Sequence, residues 1–195
     1  MSNWYSIVTT EPPAEEPVSA EELHEHLNLN VGLEDVRSLL ELYIIVAREL
    51  FEHDTGLAVC TQTFTQYQAG WECPVRLFRH PVQDVTSVQY YDTNDELQTL
   101  TDWEVDLTGC PALIYKTDGT SFPALSTNRP RPIEIEYEAG VDAEYTDAGI
   151  RLAIMLLAGH YYNVRESHGE VDYKSVPMGW DRLTAKYSTG LNGRV

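Results

Sequence analysis

Two short segments carry the residue types that catalysis or metal binding would need. In "GHYYNVRESH" (residues 159–168), His160 and His168 bracket two tyrosines, Arg165 and Glu166; in "ELHEHL", His24 and His26 stand two apart. Imidazole pairs beside a carboxylate suit zinc ligation or general acid–base work. The spacings argue against both. On a helix, residues two apart project to different faces, so His24 and His26 cannot share an ion and read as solvated side chains. His160 and His168 would meet only if the chain folded back sharply, and no HExxH motif or cysteine pair supplies further ligands. The segment reads instead as the end of a packing helix running into a polar stretch. Asp102 and Glu104 alternate along a predicted strand and would face one side, as paired-carboxylate hydrolysis needs. In a chain with 31 acidic residues, chance proximity explains that pair better. No GxSxG, Walker or dinucleotide-binding glycine pattern is present. No catalytic residue, metal site or cofactor is expected, and a small hydrolase using the strand carboxylates stands as the weakest alternative.

The charge balance narrows the partners. Thirteen basic residues against 31 acidic ones give a formal charge of −18 over 195 residues. A surface of that sign repels phosphates, which excludes sequence-specific nucleic-acid reading but not a wall past which DNA must slide. Residues 1–55 hold 12 acids and 2 bases, residues 56–140 hold 12 and 5, and residues 141–195 hold 7 and 6. Either solvated faces and an acidic tail, or different partners at the two ends, would give such asymmetry. Cys60, Cys73 and Cys110 have no regular spacing and read as free thiols. With no signal-peptide pattern and an apolar run, "LAIMLLAG", too short to span a bilayer, the sequence reads as a soluble cytoplasmic protein with no membrane partner.

The elements that would hold these residues follow from period and punctuation. The proline- and glutamate-rich "TTEPPAEEPV" predicts an extended lead-in, and Ser19 with Glu22 predicts a capping box opening a short helix to about Leu27. Val36, Leu39, Leu40, Tyr43, Ile44, Ala47, Leu50 and Phe51 mark a long helix that Gly56 ends. Residues 58–140 switch to β-branched alternation broken by turn clusters, predicting five to seven short antiparallel strands in a sandwich or small barrel. A third helix is predicted from near Glu144 to about Arg165, and a short last one from near Met178. The fold class is therefore α+β: a helical frame with an antiparallel β-rich insertion. Its parts are an extended N-terminal segment (1–18), a helical domain (19–55 and 141–187), the insertion (56–140) and a C-terminal tail (188–195).

Two helices are greasier than one buried stripe requires. Leu42, Ile45 and Val46 on the long helix, and Leu152, Met155 and Leu156 on the third, fall outside it. Surplus apolar faces favour burial against another copy or a partner over a deeper monomeric core. Near the C-terminus, Pro177, Met178, Trp180, Leu183 and Tyr187 form a proline-led amphipathic segment. It fits a docking segment that orders on contact, and equally a helix folding back on its own domain.

Four stretches in order resemble the head–tail connector (adaptor, or head-completion) proteins of long-tailed phages, prophages and gene transfer agents. They are "EPVSAEELHEHLNL" leading to "ARELFEHDTGLAVCTQTF"; "RHPVQDVTSVQYYDTNDELQTL" followed by "WEVDL"; "RPIEIEYEAG" running into "IRLAIMLLAGHYYNVRES"; and "VPMGWDRLTAKY". Together they span roughly residues 16–187. The resemblance implies a structural virion protein, made in the host cytoplasm and placed in the neck. It implies a ring of about twelve copies below the portal that extends the DNA channel and presents a surface to a stopper or tail-completion protein. A stopper or tail-completion protein of the same neck is the alternative. By this analogy Pro177 to Tyr187 would contact the portal, the surplus apolar residues would lie between subunits, and genomic DNA would pass without specific binding. Glu34, Asp35, Glu41 and Glu49 on the long helix are the candidate channel-lining acids.

Overall fold

Ser19 opens the helical part of the chain with a complete capping box. Its hydroxyl accepts the Glu22 N–H at 3.2 Å, while the Glu22 carboxylate accepts the Ser19 N–H at 2.9 Å, satisfying two donors that a helix start leaves orphaned. The computed structural model describes residues 5–164 and 179–190. The fold is α+β, and the chain divides into a helical unit and a β unit.

The helical unit contains α1 (Ala20–His26), α2 (Leu33–Thr55), α3 (Ala148–Asn163) and α4 (Trp180–Tyr187). Leu23, Leu40, Ile44, Ala47 and Phe51 meet Ala153, Ile154 and Leu157 in one fully buried cluster. Burial of each large member contributes about 1.5–3 kcal/mol. α2 stops at Gly56, whose φ of 78° lies in the left-handed region that a Cβ disfavours; its N–H donates to the Glu52 carbonyl. Beneath the aliphatic cluster lies an ionic one. Arg48, 4% exposed, donates to Glu16 and to Glu52, both at 2.8 Å, and Glu52 also accepts the Val59 N–H. The chain on either side of α2 is thereby fastened to the helix. α1 and α3 approach closely at Gly159, where a Cβ would stand 2.8 Å from Leu27 Cδ2.

The third helix begins later than its apolar pattern predicts. Ala143–Tyr145 form a 3-10 turn, Thr146 is extended, and Asp147 is the N-cap, accepting the Gly149 N–H at 2.7 Å. A side-chain cap at Asp147 ends the preceding turn, because its carboxylate takes a donor that a continuing helix would give to a carbonyl. At the other end α3 stops at Asn163, whose amide donates to the Gly159 carbonyl.

Among the described residues, eight strands form the β unit, pairing antiparallel in two sheets. Five lie in the order β1 (Tyr5–Glu11), β2 (Gln62–Gln68), β8 (Ile133–Ala139), β4 (Val82–Tyr91), β5 (Leu97–Thr99); the other three run β3 (Val75–Leu77), β7 (Ala112–Lys116), β6 (Trp103–Asp106). β8 shows why the order works. In "IEIEYEA", Ile133, Ile135, Tyr137 and Ala139 are buried, while Glu134, Glu136 and Glu138 occupy the opposite face, the alternation of a half-solvated antiparallel sheet. Fully buried Gln66 on β2 donates to the Arg76 carbonyl and accepts the Phe78 N–H, so one amide satisfies a backbone group within β3 and one just after it. The first residues, predicted only as an extended segment, give the sheet an additional strand: β1 pairs with β2 from Tyr5↔Gln68 to Glu11↔Thr63, and Tyr5 stacks on Phe78 at 4.0 Å.

Candidate assembly surface

The residues that suggested chemistry do not converge. Asp102 lies before β6, at a turn with φ 57°, and accepts the Thr101 hydroxyl; Glu104, on β6, accepts the Tyr115 hydroxyl at 2.9 Å. A strand alternation was expected to place these two side by side, and one left-handed residue ends that pattern. His24 is not merely solvated: its Nε2 lies 2.8 Å from the Val31 carbonyl, closing the turn after α1. His160 is half-buried beside Tyr161, with ring centroids 6.2 Å apart, while Glu166 and His168 lie outside the described residues. Among the described residues no group of three or more His, Cys, Asp or Glu is placed to hold a metal ion, and no helix is long and apolar enough to cross a membrane.

Two helices, α2 and α3, carry exposed apolar side chains, and α2 carries exposed acidic ones as well. Leu42 is 53% exposed and Val46 39%, with Ile45 partly covered; on α3, Leu152 is 43% exposed and Leu156 37%, with Met155 partly covered. Glu34, Asp35, Glu41 and Glu49 are all exposed. Successive α2 positions turn by 100°, so these four acids and Leu42, Ile45 and Val46 fall within one arc of about 140°. Acids and aliphatics are thus interleaved on a single face. Glu34 is held by Arg37 at 2.9 Å, which also bonds Glu21 at 2.7 Å; hydrogen bonding from Arg37 holds the Glu34 and Glu21 carboxyls below their ordinary pKa.

Beside this face lies a groove of about 490 Å³ between α2 and the residues leading into α1. Val18, Ala20, Ile44 and Ile45 line it, and Glu15, Glu16, Glu21 and Glu41 surround them. Glu16 and Glu21 are paired to Arg48 and Arg37. Sequence reasoning did not single out Glu15, because nothing local distinguishes it from the other glutamates of the lead-in.

The C-terminal candidates divide. Pro177 and Met178 lie outside the described residues. Trp180 is only 5% exposed: its ring meets Phe51 edge-on at 5.8 Å, and its indole N–H donates to Asp54 Oδ2 at 2.9 Å. Leu183 packs against the same core. Tyr187 packs near Phe51 and hydrogen-bonds Asp147, whose carboxyl is held below its ordinary pKa by that bond and by the Gly149 N–H. α4 therefore lies against its own unit, and its outward residues are Asp181, Arg182, Ala185 and Lys186. The basic pair there was also missed, since amphipathicity directs attention to the apolar side.

No protein-family model and no curated protein sequence matches the chain. Solved structures do. A chain of the virion of the native gene transfer agent (GTA) particle is 20% identical over 93% of this chain and 94% of that one, with a TM-score of 0.73. A chain from the neck of the empty GTA particle, computed with C6 symmetry, is 22% identical over 95% of each, also at 0.73. One from the neck of the native particle, computed with C12 symmetry, is 22% identical over 95% and 94%, at 0.70. At these identities the likeness is one of fold: nearly the whole chain is built like chains found in the virion and neck of GTA particles.

Proposed function

We propose that this chain is a structural subunit of a particle neck, assembled as a ring of about twelve copies between the portal and the stopper or tail-completion protein. The observation that carries the proposal is the fold likeness to GTA neck chains over 95% of the chain. The unpartnered apolar faces of α2 and α3 support it independently, because a subunit buries such faces only when neighbours arrive. The acidic surface supports a conduit role: carboxylates release no counterions from DNA and give phosphates nothing to hold.

Within this proposal, Leu42, Ile45, Val46, Leu152, Met155 and Leu156 lie between subunits. Glu34, Asp35, Glu41 and Glu49 share the α2 face with three of those residues, so they cannot all line a wet channel while that face is buried. The outward row Glu134, Glu136 and Glu138 on β8 is a second candidate for the acidic wall. Pro177, Met178 and α4 contact the portal. Trp180, Leu183 and Tyr187 act there by holding α4 in place, so that its exposed Asp181 and Ala185 make the contact.

Negative-stain electron microscopy of the purified protein, alone and mixed with its cognate portal, tests the assignment. Rings with a central hole, free or stacked on the portal, are expected. Monomers in both samples would overturn it.

A further inference from the structure

The α2 face has a composition that selects its partner. A channel wall would be acidic without aliphatics, and an ordinary packing face would be aliphatic without acids. Here Leu42, Ile45 and Val46 alternate with Glu41 and Glu49, and the groove alongside adds Glu15. Among the described residues, Glu15 and Glu41 have no cationic partner. The complement of such a face is an apolar surface bordered by cations.

This chain carries one. In the helical unit Arg37, Arg48 and Arg151 are held by their own acids. Arg182 has no acidic partner among the described residues, and Lys186 donates to the Tyr187 hydroxyl, not to a carboxylate. The two lie one turn apart on the outward side of α4. That helix ends against the start of α3, where a Cβ on Gly149 would meet the Tyr187 hydroxyl. Gly149, Leu152 and Leu156 lie within about 60° of one another around α3. The exposed pair Leu152 and Leu156 therefore extends from the place where the basic end of α4 sits.

Resting on the ring proposed above, we infer that the acidic, aliphatic face of α2 is covered by the α3–α4 surface of a second copy. Arg182 and Lys186 of one copy face Glu41 and Glu15 of the next, and Leu152 and Leu156 face Leu42 and Val46. Charge also excludes the symmetric alternative, since α2 against α2 would oppose Glu41 and Glu49 to their own copies. Two different surfaces meeting head to tail make a heterologous contact, the kind that closes into a ring by rotation.

Charge exchange in the full chain tests this by ring counting on electron micrographs, with and without portal. Glu41→Lys alone, or Arg182→Glu with Lys186→Glu, is expected to lower ring yield about tenfold by opposing like charges. Combining all three in one chain, or mixing the two variants, restores it to within about twofold of the unmodified protein. Circular dichroism checks that each variant folds. As a second measurement, Glu41→Cys with Arg182→Cys, in a chain with Cys73→Ser and Cys110→Ser, should oxidise in assembled rings to a ladder of multimers. Rings that tolerate the single swaps, swaps that are not rescued, or rings that yield no ladder would each overturn the face assignment while leaving the ring intact. No rings from the unmodified protein in either sample would overturn the ring itself, and this assignment with it.

Discussion

Arg48 illustrates how a single side chain can hold a structure that an acidic sequence would otherwise oppose. Burial works against its charge, and the hydrogen bond it donates to Glu16 together with the charges of Glu52, Glu16 and Glu49 more than restores it. Removing the guanidinium leaves Glu52 buried with an uncompensated charge, the costly way to break a buried pair. Arg48→Met is expected to destabilise the protein by about 3 kcal/mol, and adding Glu52→Gln should recover part of that loss. Urea denaturation of the two variants checks both, and equal midpoints would show that Glu52 is not the source of the cost. Nothing in the sequence marks Arg48 as central. It stands on a helix at i,i−4 to Glu52, a spacing that on most helices means a weak surface pair. Its weight comes from Glu16, 32 residues away, which closes it over.

At the scale of the element, α2 was legible because its 3.6-residue apolar stripe, its length and its terminal Gly56 agree. The capping box at Ser19 was equally plain. α4 was not. An amphipathic segment led by proline has the same pattern whether it waits for a partner or folds back, and its place is decided by Phe51 and Asp54, more than a hundred residues earlier, together with Asp147 at the start of α3. Trp180→Ala removes a buried indole, its edge contact with Phe51 and its bond to Asp54. A loss of about 3–5 kcal/mol is expected. Differential scanning calorimetry should show the midpoint falling by roughly 10 °C. An unchanged midpoint would mean that α4 does not stay against its unit in solution. A fall in portal binding by this variant would then follow from displacement of α4, and Asp181→Ala, which leaves the core intact, separates that effect from direct contact.

For the whole molecule, the α+β class and the order helices, strands, helices were readable from the change of period near residue 58. What the pattern did not carry was the assignment of the first strand. "YSIVTTE" has β-branched character, but it lies at an edge with Val8 half exposed, and the prolines that follow read as a linker. Its membership depends on β2, more than 50 residues later. Removal of residues 1–14 is expected to leave β2 as a bare edge, a template for pairing with other chains. The truncated protein should melt roughly 5 °C lower and aggregate with increasing concentration. Light scattering across a dilution series measures this, and a monodisperse truncated chain would show that β1 is dispensable.

That strand has a mechanical consequence. Because β1 belongs to the β unit, the described residues pass between the units three times, at Ala14–Glu15, Cys60–Thr61 and Gly140–Val141. A joint made of one peptide tether parts when that tether yields. Here a tensile load between the units is divided among three covalent segments in parallel, and cleavage of any one leaves two still carrying it.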